Sequence, residues 1–186
     1  MIDDAVVFSP GRTGSSLIRQ NLLTCFNSVE HTHQATYKPQ NKNTIGVISY
    51  RRDDFAAIMS MFLGAKNNEY TKYSNQDIDP FAIDLGSFEK YYVGYHMFYK
   101  FIKTEYYAKI IAVYYEDMIQ DPKYLFSLFG IDATTDYTVT EKSPRMAIDF
   151  IINFIELKEL HSFLEKDKEN ILAASLKTFH YVGYRS

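Results

Sequence analysis

The chain has no tryptophan, one cysteine, five prolines and only eight glycines in 186 residues. Single Cys25 cannot close an intramolecular disulfide, and without a second cysteine there is no structural zinc site of the paired-cysteine kind. A lone thiol suits a reducing compartment, so a cytoplasmic location is expected. No stretch approaches the ~20 apolar residues that a bilayer span needs. The opening residues, two aspartates and a short apolar run, do not read as a signal peptide. Basic residues are outnumbered 20 to 23, a net charge of −3. That balance argues against a nucleic-acid coat, which needs a basic surface to release counterions. Because glycine is scarce, any cluster of it is informative.

What is present fits one α/β domain. Hydrophobic residues make up 46% of the chain and charged residues 23%, with 16 Tyr and 14 Phe, enough to bury a core. Ala5 to Phe8 is a short apolar run that reads as a buried strand. Leu17, Ile18, Asn21, Leu22, Cys25 and Phe26 then recur at helical spacing, so a helix is expected from about Ser15 to Phe26. Ser28 to His33 is a weakly patterned second strand, and Thr44 to Tyr50 and Lys109 to Tyr114 are better ones, rich in β-branched or apolar residues. Asp53 and Asp54 suit a helix start. Residues 65–85 read as a surface loop, and Phe88 to Ile102 as a long aromatic helix. Asp121-Pro122 opens a short helix that Gly130 ends, and the chain beyond Ser143-Pro144 is mostly helical. Strands alternating with helices predict three α/β/α layers around a mainly parallel sheet, with a helical C-terminal region.

Two of the eight glycines fall in Ser9-Pro10-Gly11-Arg12-Thr13-Gly14-Ser15-Ser16-Leu17, between the first strand and the first helix. Small residues let the backbone approach a ligand, and a helix start offers unpaired N–H groups. Arg12 adds a cation, and Thr13, Ser15 and Ser16 add hydroxyls. The loop favours a phosphate or sulfate group. It lacks the Lys that follows the second Gly of a Walker A motif, and it is not G-x-G-x-x-G.

This loop resembles the first motif of the sulfotransferases that use 3′-phosphoadenosine 5′-phosphosulfate, approximately P-[KR]-[ST]-G-[ST]-[ST], with Gly11 as an extra residue. A second segment, Val47 to Ser60, is similar to the family's strand ending in Arg with a Ser eight positions on, which here pairs Arg52 with Ser60. By position alone Arg51 is an equal candidate. A third, Tyr114-Tyr115-Glu116-Asp117-Met118 to Asp121-Pro122, resembles Y-E-D-[LM]-x-x-[DN]-P.

The resemblance implies a P-loop-like fold in which Gly11, Arg12, Thr13, Gly14, Ser15 and Ser16 hold the 5′-phosphosulfate. Arg52 and Ser60 would then hold the 3′-phosphate, and Tyr115 would lie beside the adenine. In many members a K-T-H at the end of the second strand supplies the base. Here Glu30-His31-Thr32-His33 stands nineteen residues before Arg52, which maps His33 to the base and His31 to the Lys position. Glu30 is a rival base. Lys142 and Arg145 flank Ser143-Pro144, where some members close over the nucleotide.

The implied donor is 3′-phosphoadenosine 5′-phosphosulfate, the product 3′-phosphoadenosine 5′-phosphate, and no metal is required. The acceptor would be a small molecule or a carbohydrate, with no nucleic-acid or membrane partner. With little chain left for an acceptor lobe, the acceptor site is expected to be open or completed by a second subunit in a homo-oligomer. Two alternatives stay open: a nucleotide or nucleoside kinase with a degenerate phosphate loop, and a non-catalytic nucleotide-binding module. His96, His161 and His180 read as packing or solvent residues.

Overall fold

The computed structural model describes residues 2–66, 79–121, 123–132 and 149–179. The expectations for Pro122, Lys142, Ser143, Pro144, Arg145, His180 and the middle of the 65–85 segment lie outside the described residues. Strand β1 (Ile2–Phe8) leads through the loop into α1 (Ser15–Leu22) and then β2 (Phe26–Thr32) and β3 (Ile45–Tyr50). Helices α2 (Asp54–Lys66) and α3 (Leu85–Phe101), a 3-10 turn at Thr104–Tyr106 and β4 (Lys109–Tyr114) follow. The chain continues as α4 (Tyr115–Gln120), α5 (Lys123–Ser127), α6 (Phe154–Lys166) and α7 (Lys168–Phe179).

The four strands form one all-parallel sheet in the order β2-β1-β3-β4. Parallel strands are covered on both faces, so a central one reads as a continuous apolar run; Ala5-Val6-Val7-Phe8 in β1 is such a run. Alternate side chains leave to opposite faces. Ala5 and Val7 meet Leu17, Ile18 and Leu22 of α1, Met118 of α4 and Leu125 of α5. Val6 and Phe8 meet Phe98 of α3, Ile102 and Tyr107, with Ala35 and Tyr37 from the β2–β3 connection packed beside them. A third apolar cluster joins α2, α3 and α6 through Ile58, Met59, Phe88, Tyr92, Leu157 and Leu164. Fully buried rings such as Phe8, Phe88 and Phe126 each contribute about 1.5–3 kcal/mol relative to exposure. The architecture is three-layer α/β/α with a helical C-terminal region, and no helix among the described residues is long and apolar enough to cross a membrane.

Several boundaries differ from the sequence expectation. Helix α1 stops at Leu22, because the Thr24 hydroxyl donates to the Asn21 carbonyl (2.7 Å) and the Cys25 amide to that of Leu22 (2.9 Å), closing a turn. Phe26, expected as the last helical residue, instead opens β2 and packs edge-on against Phe129 with ring centres 5.1 Å apart. Residues 65 and 66 belong to α2 rather than to a loop. Ile83 is buried, and Phe81 bridges to Ile151 ahead of α3.

Candidate anion-binding site

Strand β1 is followed by α1 and β2 on one side, and β3 lies on its other side, so the chain reverses direction in the sheet between β1 and β3. Ligands of open α/β sheets sit outside the carboxyl ends of the strands at such a reversal. The loops leaving β1 and β3 meet there. Ser49 donates its hydroxyl to the Thr13 carbonyl (2.6 Å), and an Arg51 guanidinium nitrogen lies 3.4 Å from the Arg12 carbonyl.

The loop after β1 is held open by its backbone. Gly11, Arg12 and Gly14 have φ of 108°, 55° and 80°, and backbone turned this way can present successive N–H groups to an anion. From inside, the Gly11 amide donates to Ser9 Oγ (2.8 Å), and the Ser9 and Thr13 hydroxyls share a hydrogen bond of 2.9 Å. Ser9 and Thr13 are completely buried and Ser15 nearly so, whereas Ser16 is exposed. The Thr13 hydroxyl therefore shapes the loop. Gly14 precedes α1 with no side chain to cap the helix. A Cβ at Gly14 would stand 2.2 Å from Tyr115 Cδ2, so only glycine lets α4 approach this closely.

Arg12 donates through Nε to Ser60 Oγ on α2 at 3.0 Å. Ser60 thus reaches the loop after β1, but on Arg12 rather than on Arg52. The Arg52 guanidinium forks onto both Asp117 oxygens and stacks 4.5 Å above the Tyr114 ring. The hydrogen bond to Asp117 leads in raising the Arg52 pKa, and the same bond lowers that of Asp117. Arg51, the less exposed of the two, lies 5.2 Å above Tyr115 and 3.8 Å from Glu116. Its Nε is buried without a hydrogen-bond partner among the described residues. The structure therefore brings Arg51 against the loop and Tyr115 and ties Arg52 to Asp117. A cleft of about 400 Å³ opens here, lined by Arg51, Asp53, Tyr115, Glu116, Ile119 and Gln120, within the size range of small-molecule sites.

His33 stands on the other flank of the loop. Its Nδ1 lies 2.7 Å from the Ser9 carbonyl. A carbonyl only accepts, so Nδ1 donates to it, and in the neutral ring the lone pair falls on Nε2. The His31 and His33 rings touch edge-on at 4.6 Å. Burial first, then His33 and Arg19, lower the His31 pKa to about 4, and the ring is neutral at pH 7. Glu30 accepts a hydrogen bond from the Tyr37 hydroxyl.

Sequence reasoning missed a column of rings behind Arg52. Tyr114 stacks on Tyr50, and Tyr50 stacks on Tyr99 with centres 4.6 Å apart. The three come from β4, β3 and α3, so no spacing along the chain announces them. No family model, curated protein or solved structure matches the chain.

Proposed function

We propose that the protein is a sulfotransferase that moves a sulfuryl group from 3′-phosphoadenosine 5′-phosphosulfate to an acceptor hydroxyl or amine. One observation carries the reading. The three segments that resemble the family's motifs are far apart in sequence, and they converge at the carboxyl end of β1, β3 and β4. Contacts Ser49–Thr13, Arg12–Ser60 and Gly14–Tyr115 join them.

In this reading the loop amides from Gly11 to Ser16 and the Arg12 guanidinium hold the phosphosulfate in line with the acceptor. The acceptor oxygen or nitrogen attacks sulfur, the bond from sulfur to the bridging phosphate oxygen breaks, and 3′-phosphoadenosine 5′-phosphate leaves. The acceptor's proton passes to His33 Nε2, which the Ser9 carbonyl keeps as the basic nitrogen. Like phosphoryl transfer, the step depends mostly on position and charge. Neutral His31 does little for the charge on the bridging oxygen, which leaves that task to Arg12. An arginine at the end of β3 holds the 3′-phosphate, and Tyr115 flanks the adenine. Spacing assigned that arginine as Arg52 with Ser60; contact with the loop and the buried Nε favour Arg51.

Calorimetry with 3′-phosphoadenosine 5′-phosphate tests the proposal. Wild type should bind, and Arg51→Ala should weaken binding at least tenfold, about 1.4 kcal/mol, more than Arg52→Ala does. The reverse ranking returns the role to Arg52. Absence of binding, with affinity for magnesium-ATP instead, would favour the kinase. His33→Ala should abolish radiolabelled sulfate transfer over mixed acceptors and leave nucleotide affinity nearly intact. Binding without any transfer by wild type would identify a non-catalytic module.

A further inference from the structure

A second polar cluster lies apart from the phosphate loop, where α2, α3, α6 and α7 come together. Asp54 is the first residue of α2, His96 belongs to α3, and Glu165 stands near the end of α6. His96 Nε2 lies 3.1 Å from Asp54 Oδ2 and 3.6 Å from Glu165 Oε1, and donor atoms of all three residues fall within 4.8 Å of one another. Donors bound at about 2.0–2.2 Å to a tetrahedral zinc ion are about 3.4 Å apart, which the two distances bracket. His96 is largely buried, and its Nε2, aimed between the two carboxylates, makes no well-directed hydrogen bond with either.

We propose that Asp54, His96 and Glu165 form a binding site for a divalent transition-metal ion, zinc above all, that fastens the start of α2 to the helices packed against it. The surroundings supply the supporting contacts such a site uses. His161 donates from Nε2 to the other Asp54 oxygen at 3.0 Å, and the Tyr92 hydroxyl donates to Glu165. An imidazole with carboxylates suits zinc, and three protein ligands leave a fourth position for water.

Lys168 is the internal competitor. Its ammonium lies 3.1 Å from Glu165 and 3.9 Å from Asp54 on a partly exposed stem. It neutralises the carboxylates when no ion is bound and must swing outward when one enters.

Zinc binding to the full chain, read by calorimetry and by thermal unfolding with and without chelator, tests the site. At a hundredfold excess over Kd, Tm should rise by about 5–10 °C. Cobalt should give the visible absorption of a four-coordinate ion. His96→Ala and the milder Glu165→Gln should each weaken zinc binding at least tenfold, and Lys168→Met should strengthen it. His33→Ala should leave it unchanged, which separates this site from the His31–His33 pair. Loss of binding in His33→Ala with retention in His96→Ala and Glu165→Gln would overturn the proposal. So would failure of both wild type and Lys168→Met to bind.

Discussion

His31 is held neutral by the fold, and that makes the chain sensitive to acid. Unfolded, the imidazole titrates near 6.5; folded, it titrates at about 4. Between those values the unfolded chain binds more protons, so stability falls as pH drops from 6.5 towards 4 and is complete above 6.5. Part of the ring stays open to water, and screening trims the term to about 1–2 kcal/mol. Urea unfolding at pH 7.5 and 4.5 should show wild type losing about 1–2 kcal/mol more than His31→Asn. Equal losses in the two proteins would mean that burial does not hold the ring neutral. Single-residue chemistry was only partly legible in the sequence. Gly14, Arg12 and His33 stood out by composition and position. The choice between Arg51 and Arg52 did not, because neighbours at a strand end leave on opposite sides and an eight-residue interval to a serine fits either within one step.

Between elements, the start of α1 meets α4 in a close joint. The Tyr115 ring occupies the space where a Gly14 side chain would be, and Gly14 adopts φ of 80°. Gly14→Ala should destabilise by about 2–4 kcal/mol, combining backbone strain with overpacking. Tyr115→Ala in the same chain should recover the overpacking part and leave the strain. A four-protein cycle by denaturant unfolding should therefore give a coupling of at least about 1 kcal/mol; additive losses would mean that the ring moves aside freely. Strands β1, β3 and β4 were plain in the sequence as short apolar runs. Strand β2 starts two residues earlier than its sequence pattern suggests, because Leu22 and Phe26 keep helical spacing across the turn that separates them. Helix α4 was hidden by its six-residue length, too short for a period to repeat twice.

For the whole molecule, alternation of strand and helix announced a parallel sheet, and the layers follow from it. Strand order was not legible, since periodicity reports which face a residue occupies and says nothing about which strand lies beside it. The Asp54, His96 and Glu165 cluster was equally hidden: its three members stand on three different helices, so no interval along the chain joins them. The order β2-β1-β3-β4 has a further consequence, in time. Ile2 pairs with Phe26 across 24 residues, whereas Ile45 pairs with Lys109 across 64. Closing the longer loop costs about 0.9 kcal/mol more in chain entropy, so the first β-α-β unit should form early and β4 should dock late. Refolding kinetics should give φ-values well above 0.5 for Val7→Ala and Ile18→Val and near zero for Ile111→Val and Val113→Ala; the opposite polarity would reject this order. The segment that carries the glycine-rich loop after β1 would then be the nucleus on which the rest of the protein assembles.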